Sequence, residues 1–126
     1  MPSVLNVDTI ADAAGTGPVA LTKQSAAKAW ATWNGGGTVA LTDSFGLSSI
    51  LDNTTGDYTL TLSSAMDNDD YSITATSQEN RCIGVYYGIG TAVTTTTVRF
   101  GVTLTNGSYT ASDPAYAHMM EMGDLA

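Results

Sequence analysis

Cysteine, histidine and basic side chains are scarce in this chain, and each shortage narrows what it can be. Cys82 stands alone, so no intramolecular disulfide can form, which favours folding in a reducing compartment. Lys23, Lys28, Arg81 and Arg99 are scattered along 126 residues against 12 acidic side chains. The resulting formal charge of −8 repels a phosphate backbone and argues against nucleic acid as a partner. No apolar run approaches the ~20 residues of a membrane span. The opening MPSVLNVDTIADAAG also lacks a basic segment followed by an apolar one, so neither membrane insertion nor a secretory leader is expected.

Catalytic equipment is equally thin. His118 is the single histidine, and its neighbours Tyr116, Ala117, Met119 and Met120 supply no nucleophile motif. The chain is therefore read as a non-enzyme, with His118 a strand histidine, buried or at a subunit contact. Cys82 lies among apolar neighbours and is expected to be an inert core thiol. Asp67, Asn68, Asp69 and Asp70 form the densest acidic group. They lack the glycine that a calcium loop needs at its bend, and read as a solvated turn. No carboxylate pair is singled out for glycoside hydrolysis. No metal or cofactor is expected.

What the sequence does have is glycine, threonine, serine and short alternating apolar runs. Tyr58, Leu60 and Leu62 alternate with Thr59 and Thr61, the period of a half-buried strand. The turn formers Asp52, Asn53, Thr54, Thr55 and Gly56 precede them, and Phe45, Leu47 and Leu51, with Ser49, read as one face of the strand before that turn. A hairpin over Phe45 to Leu62 follows. Trp30 and Trp33 point to opposite faces of an earlier strand, which an Asn34 to Gly37 turn joins to Val39 and Leu41. Tyr71, Ile73 and Ala75 mark a further strand, as do Ile83, Val85, Tyr87 and Ile89, whose two faces both look covered. Val98, Phe100, Val102 and Leu104 mark the next, closed by an Asn106-Gly107 turn, and the last runs from about Tyr116 to Met122. Thr22 to Ala29 has a local helix preference but is too short to be stable alone. The sum is one all-β domain: an antiparallel β-sandwich of about eight strands over 28–126, preceded by a segment over 1–27.

That leading segment cannot bury its own apolar residues, so it must pack on other copies of the chain or dock on a particle. Met119-Met120-Glu121-Met122 is apolar on both strand faces, as in a central strand or one covered by another subunit. Val4, Leu5, Val7, Ile10, Trp30, Met119 and Met120 are accordingly the candidate oligomer contacts. Polar loops carrying aromatics at strand ends are where a rigid scaffold presents binding groups. Gln78, Asn80, Thr95, Thr96, Asn106, Ser108 and Tyr109 are the candidates there.

The run KAWATWNGGGTVA at 28–40, followed by Asp43-Ser44-Phe45, Ser48-Ser49-Ile50, Asp52-Asn53 and Gly56-Asp57-Tyr58, resembles the small β-sandwich at the ends of tail fibres of bacteriophages, many of them marine. Val7-Asp8-Thr9-Ile10 and 14–19, AGTGPV, are similar to the lead-in of such modules, so the resemblance covers about residues 4 to 62. It implies a virion structural protein made in the host cytoplasm, homotrimeric, that contributes to host recognition through a surface glycan or protein. Fibre proteins are ordinarily much longer. A chain with room for a short lead-in and one sandwich is expected to be a tip or side protein docked on another fibre, or a decoration protein of capsid or tail.

Overall fold

The computed structural model describes residues 26–78, 80–85, 92–107 and 109–126. Among them are eight strands and no helix: β1 Ala29–Asn34, β2 Ala40–Phe45, β3 Leu47–Thr54, β4 Asp57–Leu62, β5 Ser72–Ser77, β6 Arg81–Val85, β7 Thr97–Leu104 and β8 Ala117–Met122. They form two four-stranded antiparallel sheets. The front sheet has the order β2-β1-β8-β5 and the back sheet β3-β4-β7-β6. The chain is an antiparallel β-sandwich.

The core lies where the alternating residues of both sheets meet. Trp33, Ala31, Ala117 and Met119 point inward from the front sheet, and Tyr58, Leu60, Val98, Phe100 and Val102 from the back. The Trp33 ring lies 6.2 Å from that of Tyr58, nearly edge-on, and 5.9 Å from that of Phe100. Each such large side chain contributes about 1.5–3 kcal/mol by leaving water, more than a typical neutral hydrogen bond. The alternation over Tyr58 to Leu62 and Val98 to Val102 therefore reports the core faces of the two central back strands.

Gly46 turns the chain from the front sheet into the back sheet. Its φ is +72°, and a Cβ there would collide with the carbonyl oxygen of Lys28. Only glycine fits such a corner without strain.

Five expectations need correction, the last of them at Met119. The pairing of β3 with β4 shifts between Leu47 and Ser49. Because side chains alternate with period two, that bulge reverses the face beyond it. Ile50 packs on the core, Leu51 is 59% exposed, and Phe45 belongs to β2 rather than to the hairpin. Cys82 is exposed, because β6 is an edge strand whose outer face, Cys82 and Gly84, no described residue covers. Of the two settings expected for His118, burial is excluded: it lies on the exposed outer face of β8, the face a subunit contact would use, with its Nδ1 2.9 Å from Thr32 Oγ1. Ala29 opens β1 rather than closing a helix; sheet pairing with Glu121 overrides its local preference, and Thr22 to Ser25 lie outside the described residues.

The two tryptophans do face opposite ways: Trp33 is fully buried and Trp30 is 36% exposed. β8 is central, between β1 and β5, which accounts for its buried face. Met119 lies on that face, in the core, and is unavailable for contact with another subunit. Met120 and Met122 lie on the other face and are exposed.

Candidate functional site

Strand directions divide the loops between two ends. The near end, where the chain enters β1 at Ala29, holds the Gly46 corner, the connection from Leu62 to Ser72 and the Thr94 to Thr97 loop. The far end holds the β1–β2 turn, the β3–β4 turn at Thr55-Gly56, the β5–β6 turn and the connection from Leu104 to Ala117.

Thr95 and Thr96 fall at the near end, and their carbonyls accept the backbone N–H groups of Met66 and Leu62. Thr94 Oγ1 accepts from the N–H groups of Thr96 and Thr97, which fixes the loop as a structural corner. Gln78, Asn80, Asn106 and Tyr109 fall together at the far end; Ser108 lies outside the described residues. Gln78 has a holding role, since its Oε1 accepts the backbone N–H of Ala115 at 2.6 Å and of Tyr116 at 3.2 Å. Asn80, at φ +62°, accepts a hydrogen bond from Thr105 N–H through its carbonyl, joining the β5–β6 turn to the end of β7. Asn106 and Tyr109 are exposed beside it.

Sequence reasoning missed the residues around which this end is built. Tyr58 Oη donates to Asp113 Oδ1 at 2.6 Å, and the Gly56 N–H donates to the same oxygen at 2.7 Å. Gly56 has φ +68°, and a Cβ on it would strike the Val102 carbonyl and the Ser112 N–H group, so the turn and the returning strap touch backbone to backbone. Burial, with the Asp113 carboxylate beside it, holds the Tyr58 hydroxyl well above the ordinary phenol range. The phenol thus remains a hydrogen-bond donor.

One step out, Asp57 is paired with Arg99. Its Oδ1 accepts from Arg99 Nε at 2.7 Å and from Asn53 Nδ2 at 3.1 Å, and its Oδ2 meets Arg99 Nη2. Arg99 holds the Asp57 carboxyl below the usual carboxylate range, against the opposing effect of burial, with Asn53 assisting. Above this pair lies a cleft of about 240 Å³ lined by Thr54, Thr55, Asp57, Gly101, Thr103 and Tyr109, together with Gly56, Val102 and Ala111. Its chemistry is hydroxyl groups, one carboxylate, bare backbone and an aromatic lip. The cue available in the sequence was Asp57 itself, a carboxylate at the first position of an otherwise threonine-lined strand face, in a chain with two arginines.

The remaining candidates are apolar. In the strand register Phe45 faces Trp30, and Trp30 faces Met120, forming an exposed row across the outer front sheet. Val4, Leu5, Val7 and Ile10 lie outside the described residues. Asp67 to Asp70 are all exposed, with Asn68 Oδ1 accepting the Asp70 N–H in a side-chain-closed turn. Among the described residues no group of three His, Cys, Asp or Glu side chains could hold a metal ion, and no helix is long and apolar enough to cross a membrane.

No family model, curated protein or solved structure matches the chain.

Proposed function

We propose that this chain is a bacteriophage virion structural protein, a tail fibre tip or receptor-binding module that contributes to host attachment without catalysing a reaction. One structural observation supports the reading above the others. The chain enters the sandwich at one end, while the exposed polar and aromatic loops, Asn80, Asn106 and Tyr109, and the hydroxyl-lined cleft lie at the opposite end. A module anchored through its N-terminal segment would present that end outward, on a scaffold rigid enough to hold its loops. The likeness of residues 4 to 62 to fibre-end sandwiches supplies the setting.

In this reading the module is a homotrimer. Val4, Leu5, Val7 and Ile10 join the copies to one another and to a fibre, tail or capsid protein. The Phe45, Trp30 and Met120 row lies against a neighbouring copy, and three weak host contacts act together with the gain in avidity that linkage gives.

The experiment is competition for adsorption. Excess purified chain should slow attachment of the phage to its host. The same apolar row favours a second reading, a capsid decoration or tail adaptor protein whose outer front sheet is covered by a structural partner. Particles that lose integrity without the protein, while soluble protein fails to slow adsorption, would establish that reading instead.

A further inference from the structure

We infer that the far-end cleft is a binding site for one sugar ring of a neutral glycan. The inference rests on the receptor-binding reading and gives it a ligand class and an address.

The floor of the cleft comes first. Gly101 of β7 is in register with Asp57 on one side and with Gly84 of β6 on the other. Gly101 lines the cleft and carries no side chain, and Gly84 next to it, outside the cleft lining, is equally bare: a Cβ added there would meet nothing within 4 Å. A flat ring can lie directly on such backbone.

The walls supply matching chemistry. Thr54, Thr55 and Thr103 line the cleft with hydroxyls, which donate and accept as sugar hydroxyls do. Asp57 is held in place by Arg99 and Asn53, which use three of the roughly four lone-pair directions of its carboxylate and leave one for a ligand hydroxyl. A carboxylate already fixed by its partners loses little freedom when it binds.

The lip supplies the apolar half. Tyr109 is 73% exposed, and its φ of +48° is the left-handed conformation that a residue of its size rarely adopts. Strain of this kind persists only where the surroundings enforce it. Here the next residues are pinned, with Leu104 N–H donating to the Thr110 carbonyl and Ala111 bridging to Thr103. An exposed aromatic beside a hydroxyl-lined hollow is suited to stacking on the C–H face of a pyranose.

Size and charge narrow the class. A volume of about 240 Å³ has room for roughly eight waters, which suits one ring and is below the range of drug-sized pockets. Among the described residues Arg99, beside the cleft, is engaged by Asp57, Arg81 at the same end donates to Ser112 Oγ, and the chain as a whole carries −8. Sialylated, uronic or phosphorylated sugars would therefore be repelled, and neutral hexoses and N-acetylhexosamines would not.

The test is amide NMR on the purified full chain titrated with glucose, galactose, mannose and N-acetylglucosamine. At least one should give saturable, millimolar shifts centred on Gly56, Asp57, Gly101 and Thr103. Tyr109→Ala should weaken that binding by about threefold to tenfold, Tyr109→Phe should retain it, and Thr103→Arg should abolish it by filling the cleft. Each variant's own spectrum reports whether it is folded. Absence of saturable shifts at the cleft with all four sugars overturns the inference, as does unchanged binding by folded Thr103→Arg. The same proteins in adsorption competition separate the two failures. Wild type that competes, with Thr103→Arg competing equally, overturns the cleft alone. Wild type that does not compete overturns the receptor reading, while sugar shifts at the cleft would still uphold the site.

Discussion

Tyr58 and Asp113, 55 residues apart in the chain, meet at 2.6 Å inside the far end of the sandwich. The bond ties the first residues of β4 to the strap between β7 and β8. Because the Gly56 N–H shares the same carboxylate oxygen, it also fixes the β3–β4 turn that forms one wall of the cleft.

Removing the phenol hydroxyl should therefore loosen this end without emptying the core. Tyr58→Phe is expected to cost about 1–2 kcal/mol in urea unfolding, and Asp113→Ala more, since it also leaves the Gly56 N–H without its acceptor. In the Asp113→Ala background, Tyr58→Phe should cost less than it does in the wild type, since only the longer 3.3 Å bond to the Gly35 carbonyl remains for the hydroxyl.

Glu121 makes stability depend on pH in an unusual direction. It is fully buried on the inner face of β8, between Ala29 and Ile73 in the register, and neither carboxylate oxygen has a hydrogen-bond partner among the described residues. Burial pushes its carboxyl up to about 7 from 4.5. The folded state thus binds the proton more tightly than the unfolded state does. The contribution is fully present below the unfolded value and is lost as pH rises through the folded one, amounting to about 3 kcal/mol between pH ~4 and ~8. Unfolding measured across that range should show the decline in wild type and a nearly flat profile in Glu121→Gln.

Asp57 works in the opposite sense and in a different window. Its folded value is lowered by Arg99, so its contribution is present above the ordinary value of 3.8 and fades as pH falls through the lowered one. Arg99→Met should reduce stability at pH 6 by about 1–3 kcal/mol and flatten this acid limb, leaving the decline due to Glu121 in place.

The hairpin, the two core faces of the back sheet and the opposite facing of Trp30 and Trp33 were legible in the sequence, because each follows from a local period of two. What escaped was set by pairing between distant segments. The bulge after Leu47 exchanges Ile50 for Leu51 on the core face, and no local pattern reveals it. Cys82 reads as core until β6 is seen to be an edge strand. Met119 and Met120 look alike in a run of methionines, and only the position of β8 between β1 and β5 assigns one to the core and the other to the surface. At the far end, Asn80, Asn106 and Tyr109 were legible as loop residues. Asp57, Thr103 and Gly101 were not, since they are ordinary members of two strands that become cleft walls and floor only when those strands pair.

The edge position of Cys82 has a direct consequence. In the native protein one thiol per chain should react promptly with a disulfide reagent such as dithionitrobenzoate, at a rate that denaturant raises little.

If the front sheet is the contact between copies, its apolar row should govern the solution mass. Light scattering after size exclusion is expected to give a trimer for wild type and smaller species for Trp30→Ser combined with Met120→Ser. Met120 is 47% and Trp30 36% exposed, so folding should survive, at a cost of about 1–3 kcal/mol from the covered part of the Trp30 ring. An unchanged trimer would remove this face from the contact.

The most direct measurement is adsorption competition with variants of the two ends compared side by side. Wild-type protein and Thr96→Arg, altered at the exposed near end, should slow phage attachment equally, while Tyr109→Ala and Thr103→Arg at the far end should lose most of that effect. Loss with Thr96→Arg and retention with both far-end variants would contradict the proposed orientation. Failure of the wild-type protein to compete would contradict a role in host attachment.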